Sequence, residues 1–278
     1  MMQGWNLEHS VREPAGVQAG RVSRRNLLTL GGLTIVGIGL GGARATADTG
    51  GDSHSVPLRG DSHLDDGAAA TSQYPAPTTA DMTVPTSPEY YVDAGQNVIA
   101  LTIDDGPDAT YTPQVLEVLE EFGVVATFFM IGEQIQGSES LVSQVVGAGH
   151  MIGNHTWDHA DQTQLSADQV ANEIQQTNDA LGALGVNPAV FRAPYGNWNQ
   201  TVFQACADAN LRPVDWSVDP QDWSTPGVDS IVGNIMANTS SGSIILEHDG
   251  GGDRSQTVAA LRIVLPQLKN NGYSFTTV

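Results

Sequence analysis

The chain is poor in cysteine and in basic residues. Its 278 residues contain one cysteine, Cys206, so no disulfide forms within the chain and no thiolate cluster can hold zinc. Cys206 lies in an amphipathic helical pattern, and we expect a buried, inert thiol. The chain has 11 basic and 31 acidic residues, and Lys269 is its single lysine. Binding nucleic acid needs clustered cationic side chains, so we expect no nucleic-acid partner.

The sequence also lacks a hydrophobic run that would form a stable membrane span. The apolar stretch at residues 27–42 is rich in glycine, and its length of about 16 residues falls short of the ~20 that a span needs. Paired arginines precede it and small residues follow, which is the order of a signal peptide, and the Ser-Arg-Arg start resembles a twin-arginine signal. Residues 1–47 are therefore predicted to direct export, to a secreted or cell-wall-associated location. Cleavage after Ala45, cleavage after Ala47 and an uncleaved anchor all remain open.

Three segments are predicted along the chain. Residues 48–95 follow the signal and are rich in Gly, Ser, Thr, Asp and Pro, with too little apolar surface to order themselves, so we interpret them as a flexible linker. Residues 96–278 form one folded domain. We expect this domain to act as a monomer, with no stable membrane span after signal cleavage.

Short apolar runs alternate with helical segments in the predicted domain. NVIALTID and SIILEHDG are typical of buried strands, and SADQVANEIQQTNDALGALG is the clearest helix, since Ser166 and Gln169 form a capping box. Strand-helix alternation builds a parallel sheet, because each crossover returns the chain to the same end. About seven such units predict an α/β barrel or near-barrel, with a doubly wound sheet as the alternative. In both folds, ligands bind at the carboxyl ends of the strands.

Residue types that carry out catalysis gather where the predicted strands stop. Random placement seldom produces this pattern, so we expect an active site at that edge of the sheet. We assign no role to Asp219 or Asp249. The five segments carry Asp104 and Asp105; His155 and His159; Arg192 and Tyr195; Asp219, Asp222 and Trp223; and Glu247, His248 and Asp249.

The adjacent carboxylates in LTIDDGP indicate a metal ion. Two like charges this close repel each other unless a cation or a proton separates them. His155 and His159 would supply two more ligands, because a four-residue spacing places both imidazoles on one face if the segment makes a helical turn. Two imidazoles and one carboxylate leave room for water and substrate. The second aspartate would then take a proton from the attacking water.

Five motifs in this order resemble the polysaccharide deacetylases of carbohydrate esterase family four, the NodB-homology domain. They are TIDDGP, HTWDH, RAPYG, DPQDW and LEH, and the resemblance covers roughly residues 98–278. The first motif usually has phenylalanine at the position of Ile103. The resemblance implies a distorted, incomplete (β/α) barrel of about seven strands.

The resemblance also implies a role for each motif residue. Metal ligands and general base come from the first two motifs, and Arg192 would hold the base in place. The remaining residues would stabilise the oxyanion, line the acetyl pocket, and orient and supply the general acid. The implied set is Asp104 as base; Asp105, His155 and His159 as metal ligands; Arg192; Tyr195 through its backbone N–H; Asp222; Trp223; Leu246; and His248 as acid.

The implied activity is hydrolysis of N-acetyl groups on glycans that contain N-acetylglucosamine, such as chitin, chitooligosaccharide or peptidoglycan. The implied cofactor is a divalent metal, Zn²⁺ above Co²⁺ or Ni²⁺, because histidine and carboxylate donors suit all three. Two alternatives remain open. An acetylxylan O-acetyl esterase would use the same site, and a non-catalytic carbohydrate-binding relative would keep the cleft without the chemistry.

Overall fold

The computed structural model describes residues 84–278. The predicted signal peptide at residues 1–47 and the linker up to residue 83 lie outside the described residues and stay predictions. Within residues 84–278, no helix has both the length and the apolar character needed to cross a bilayer.

Strands and helices alternate through the described part of the chain. The strands are β1 (Val98–Asp104), β2 (Thr127–Met130), β3 (Met151–Asn154), β4 (Val190–Phe191), β5 (Arg212–Pro213), β6 (Ile244–His248) and β7 (Ser274–Thr276). The helices are α1 (Tyr111–Phe122), α2 (Gly132–Ile135), α3 (Glu139–Gly147), α4 (Ala167–Gly182), α5 (Gln200–Asp208), α6 (Val228–Asn238) and α7 (Ser255–Asn270).

The strands form one parallel sheet in the order β5-β4-β3-β2-β1-β6, with β7 also paired to β1. The sheet curls into an open half-barrel, which confirms the incomplete (β/α) barrel and rejects the doubly wound alternative. Because all strands are parallel, their carboxyl ends share one edge. Asp104 at the end of β1 lies beside Phe129 of β2 on one side and His248 of β6 on the other.

The chain just before β1 contacts both outer strands of the sheet. Glu89 forms a parallel bridge with Val214, directly after β5, and Tyr91 forms an antiparallel bridge with Ser243, directly before β6. These residues precede position 96, where the folded domain is predicted to begin. They lie between the two open edges of the curled sheet and hydrogen bond to each.

Successive side chains of β1 point alternately to the hydrophobic core and to the site. Ile99, Leu101 and Ile103 face the helices and join the main core with residues of α1 and α7. Each such side chain contributes roughly 1.5–3 kcal/mol when fully buried. Thr102 and Asp104 face the other side, inside the curl, where both contact one guanidinium. The alternating LTID pattern therefore builds the core and the site from opposite faces of one strand.

Two of the strands are short, since β4 and β5 have two residues each. After β5 the chain crosses over, and Val218 bridges to Ile245 of β6. The predicted capping box at the start of α4 is confirmed, with Ser166 and Gln169 bonded reciprocally. Cys206 is buried, as expected.

Candidate active site

Asp104 and a buried arginine form the centre of the site. Arg192 is fully buried, and its Nη1 donates to Asp104 Oδ1 at 2.7 Å and to Thr102 Oγ1 at 2.8 Å. Its Nη2 donates to the carbonyl of Asp215 at 2.9 Å. The guanidinium also stacks over the ring of Phe129, 4.1 Å from the centroid. These contacts hold the Asp104 carboxylate in one orientation and compensate its charge.

Asp105 points to the same mouth as Asp104, although adjacent strand residues normally face opposite sides. Its backbone is left-handed, with φ of 74°, and this turns the side chain back toward the carboxyl edge. Asp105 itself makes this reversal, before the Gly-Pro that follows it. Burial opposes the charge of Asp105, yet the nearby imidazoles of His155, His248 and His159 outweigh burial and lower the pKa of the carboxyl.

The two predicted histidine ligands converge, but not through a helical turn. Residues 155–159 form a loop in which Thr156 and His159 adopt left-handed φ values of 69° and 63°. His155 Nε2 lies 3.5 Å from Asp105 Oδ1, and His159 Nε2 lies 3.2 Å from the same oxygen. His155 Nδ1 is hydrogen bonded to the carbonyl of Arg192 at 2.9 Å, which directs Nε2 toward the carboxylates.

The donor set fits a divalent metal. One ligand atom each from Asp105, His155 and His159 lies within 4.8 Å of the others. Asp105 Oδ1 is buried and has no hydrogen-bond donor, which is costly for a carboxylate oxygen unless a cation meets it. Two imidazoles and one carboxylate are the ligands of many catalytic zinc sites, with positions left open. The structure therefore has a possible Asp-His-His metal site where the sequence predicts one.

His248 lies across the site from the two ligand histidines. Its Nδ1 is hydrogen bonded to Asp222 Oδ1 at 2.7 Å, and its backbone N–H donates to Asp222 Oδ2 at 3.0 Å. Thr257 Oγ1 donates to the same Oδ2 at 2.7 Å. Burial disfavours the charged imidazole, but the hydrogen bond and charge of Asp222 outweigh burial and raise the pKa of His248 to about 9. The imidazole is therefore held protonated, as a proton donor requires.

A cleft of about 350 Å³ connects these groups. Leu246 lies in its wall, while Tyr195 and Trp223 are 63% and 52% exposed and stand at its mouth. Tyr195 has a left-handed backbone with φ of 63°, and its N–H donates to no acceptor within residues 84–278. That amide is free to bind an oxygen of a ligand. The cleft is lined by Asp104, Asp105, His155, His159, Ala193, Tyr195, Trp216, Asp219, Trp223, Leu246 and His248.

Two buried acids flank His248 on its own strand end. Glu247 is fully buried, and burial followed by the charge of Asp222 raises its pKa well above the usual range. Burial also raises the pKa of Asp249 to about 7, against the hydrogen bond from Thr112 Oγ1 at 2.5 Å. Both acids are buried, and neither lines the cleft.

Asp219, noted at a predicted strand end without a role, lines the cleft. Three further residues of the site were not found from the sequence: Trp216 also lines the cleft, and Thr102 and Thr257 hold Arg192 and Asp222. Of these three, Thr102 alone carries a local signal, because it shares a strand face with Asp104 two residues later.

Comparison with known proteins gives consistent matches. A sequence model of the polysaccharide deacetylase family matches residues 91–214. A peptidoglycan-N-acetylglucosamine deacetylase of Bacillus cereus is 47% identical over 189 residues, 67% of this chain and 89% of that protein. A chitooligosaccharide deacetylase of Rhizobium leguminosarum bv. trifolii is 41% identical over 192 residues, 65% of this chain and 89% of that protein.

A solved structure extends the comparison to three dimensions. The crystal structure of the Bc1960 peptidoglycan N-acetylglucosamine deacetylase, in complex with 4-naphthalen-1-yl-N-oxidanyl-benzamide, superposes with a TM-score of 0.66 at 35% identity, covering 68% of this chain and 90% of that one. Fold and site together define an α/β half-barrel hydrolase with a possible metal centre. The chain belongs to the polysaccharide deacetylase family, carbohydrate esterase family four.

Proposed function

We propose that the protein is an exported, metal-dependent N-deacetylase of glycans that contain N-acetylglucosamine. The observation that carries this proposal is the position of the Asp-His-His cluster, with Asp104 on one side and His248 on the other, in a single cleft. A base and an acid on opposite sides of a candidate metal site suit hydrolysis of an amide. The proposed cation is Zn²⁺, with Co²⁺ and Ni²⁺ as substitutes for the same donors.

Asp105, His155 and His159 would hold the cation. When bound there, it polarises the acetyl carbonyl and makes the attacking water more acidic. Asp104 accepts the proton of that water, and Arg192 keeps the carboxylate aimed through the 2.7 Å hydrogen bond between them. The oxygen of water forms a bond to the acetyl carbon, and the carbonyl oxygen becomes an oxyanion.

Tyr195 stabilises the oxyanion, and His248 protonates the leaving amine. The unpaired N–H of Tyr195 donates to the oxyanion, where a fixed dipole is most effective. His248 then donates its proton to the sugar nitrogen as the carbon–nitrogen bond breaks, because an amine is a poor leaving group as an anion. Acetate and a free amino sugar are the products. Asp222 keeps the imidazole charged until this step.

The proposed substrates follow from the relatives. The Bacillus cereus and Rhizobium leguminosarum relatives are named for peptidoglycan and for chitooligosaccharide. Export through the twin-arginine-like segment would place this protein beside such glycans outside the cytoplasm. The exposed rings of Tyr195 and Trp223 at the mouth of the cleft offer surfaces for sugar rings.

The test is acetate release from chitooligosaccharide, peptidoglycan and acetylxylan, with and without a chelator. The proposal expects N-deacetylation that chelator abolishes and Zn²⁺ restores. Asp104→Asn is the matched variant, because the amide keeps the size of the side chain but cannot take the proton, and we expect turnover to fall by roughly 10²–10⁴-fold. Metal binding should be retained in this variant. Release from acetylxylan alone, or full activity in chelator, would refute the proposal.

A further inference from the structure

The loop that carries His155 and His159 follows an unfavourable backbone path. Thr156 and His159 both have left-handed φ values, 69° and 63°. This conformation costs a residue with a side chain roughly 1–2 kcal/mol, and Thr156 is β-branched in addition. The loop therefore depends on contacts from outside it to keep the two imidazoles converged.

Helix α4 supplies such a contact through Glu173. A single carboxylate oxygen, Oε2, accepts the backbone N–H of Trp157 at 2.8 Å and that of Asp158 at 3.1 Å. Glu173 is only 9% exposed, and neither N–H has another acceptor within the described residues. Hydrogen bonds to an ionised acceptor are roughly twice as strong as neutral ones. The carboxylate thus binds the tip of the loop, between the two histidines.

The remaining supports of the loop are neutral. The N–H of Gly132 donates to the carbonyl of Thr156 at 2.9 Å, and the N–H of Glu133 donates to that of Trp157 at 2.9 Å. The Asn154 side-chain oxygen accepts the N–H of Thr156 at 2.8 Å. Among these contacts, the one made by Glu173 is the only one through an ionised side chain. It can be removed without altering β3 or the backbone of α2.

We propose that Glu173 is a positioning residue that sets the metal affinity of the Asp105-His155-His159 site. The inference rests on the metal site of the proposed function. Without the accepting oxygen, the turn at Trp157 and Asp158 relaxes and His159 loses its alignment with Asp105. Residues that hold metal ligands in place typically change metal affinity by about 10–100-fold when they are replaced.

Four variants of the full chain separate this role from a general structural one. Glu173→Gln keeps an oxygen that can accept both N–H groups, and Glu173→Leu removes it. Glu173→Asp keeps the charge on a side chain one methylene shorter, so it decides the question if Glu173→Leu does not fold. Asn172→Leu is the matched control, because Asn172 is exposed on the same helix and makes no hydrogen bond through its side chain within the described residues.

The measurement is the dissociation constant of Zn²⁺ for each apoprotein, by competition with a chromophoric chelator, together with the Co²⁺ absorption spectrum and the Tm without metal. We expect Glu173→Gln and Asn172→Leu to bind Zn²⁺ within about threefold of the wild-type protein. Glu173→Leu and Glu173→Asp should bind at least tenfold more weakly, with an altered Co²⁺ spectrum.

The outcomes distinguish this inference from the proposed function. A wild-type protein that binds neither Zn²⁺ nor Co²⁺ refutes the metal site itself. Wild-type binding that Glu173→Leu or Glu173→Asp retains at full strength refutes the positioning role alone. Equal weakening by Glu173→Gln or by Asn172→Leu also refutes it, because the effect would then not come from the accepting oxygen.

Discussion

Replacing Asp222 with asparagine tests the proposed proton donor directly. Asp222 accepts the Nδ1 proton of His248 at 2.7 Å and the backbone N–H of the same residue at 3.0 Å. Asparagine keeps the size of the side chain and can still accept from the backbone and from Thr257. It loses the negative charge that stabilises the imidazolium. Both supports of the charged imidazole are therefore removed: the negative charge of Asp222 and the oxygen that accepts the Nδ1 proton.

The size of the effect follows from the pKa of His248. Burial lowers the pKa of His248, but the hydrogen bond and charge of Asp222, together with the charges of Asp105 and Asp104, raise it from 6.5 to about 9. A rise of this size corresponds to about 3 kcal/mol of preferential stabilisation of the charged imidazole. In Asp222→Asn the hydrogen bond and charge that oppose burial most are gone and only the charges of Asp105 and Asp104 remain, so we expect the pKa to return to about 6.5 or lower. At pH 8, His248 is then protonated in about 3% of molecules or fewer, and we expect at least a thirtyfold loss of activity.

The assay is kcat/KM for acetate release as a function of pH, for the wild-type protein and Asp222→Asn with the same metal ion. A proton donor is active only below its pKa. The alkaline limb of the kcat/KM profile should therefore lie more than two pH units lower in Asp222→Asn than in the wild-type protein. Thr257→Val is the control, because it removes a neutral donor to Asp222 and should move that limb by less than one unit. An alkaline limb at the same pH in both proteins would refute His248 as the donor.

The same pKa predicts a stability effect without substrate. The unfolded chain releases the histidine proton near pH 6.5, while the folded apoprotein keeps the proton up to about pH 9. The free energy of unfolding should therefore fall by about 3 kcal/mol as pH rises through this window. Asp222→Asn should lack this slope between pH 6.5 and 9. Urea unfolding at several pH values measures it, and parallel curves for the two proteins would contradict the assignment.

Three further predictions concern packing and capping. Arg192→Met leaves Asp104 buried without its partner, so we expect a loss of about 3–5 kcal/mol in urea unfolding; an unchanged midpoint would contradict this. Ser166→Ala removes the cap at the start of α4 and should cost about 1 kcal/mol with kcat/KM unchanged, since neither Ser166 nor Gln169 lines the cleft. Burial raises the pKa of the Cys206 thiol to about 12. A thiol reagent should therefore label Cys206 only in urea, and rapid labelling of the native protein would refute its burial.

The sequence alone determined the fold class and predicted most of the residues that the cleft brings together. Apolar runs that alternate with helical segments predict a parallel sheet, and a parallel sheet brings the carboxyl ends of its strands to one edge. For this reason Asp104, His155 and His248 could be predicted as neighbours although they lie far apart in the chain. The order of the five motifs then indicated the family, which the relatives confirm.

The tertiary structure alone decided how these side chains converge and what supports them. The sequence predicted a helical turn for the two ligand histidines, but left-handed residues in a loop bring them together. Such backbone angles are set by contacts with distant parts of the chain, here Glu173 and Gly132, and leave no periodic signal. The high pKa of His248 likewise depends on burial and on Asp222, 26 positions away. Local sequence specifies which elements form, whereas long-range packing specifies the angles and electric fields that chemistry requires.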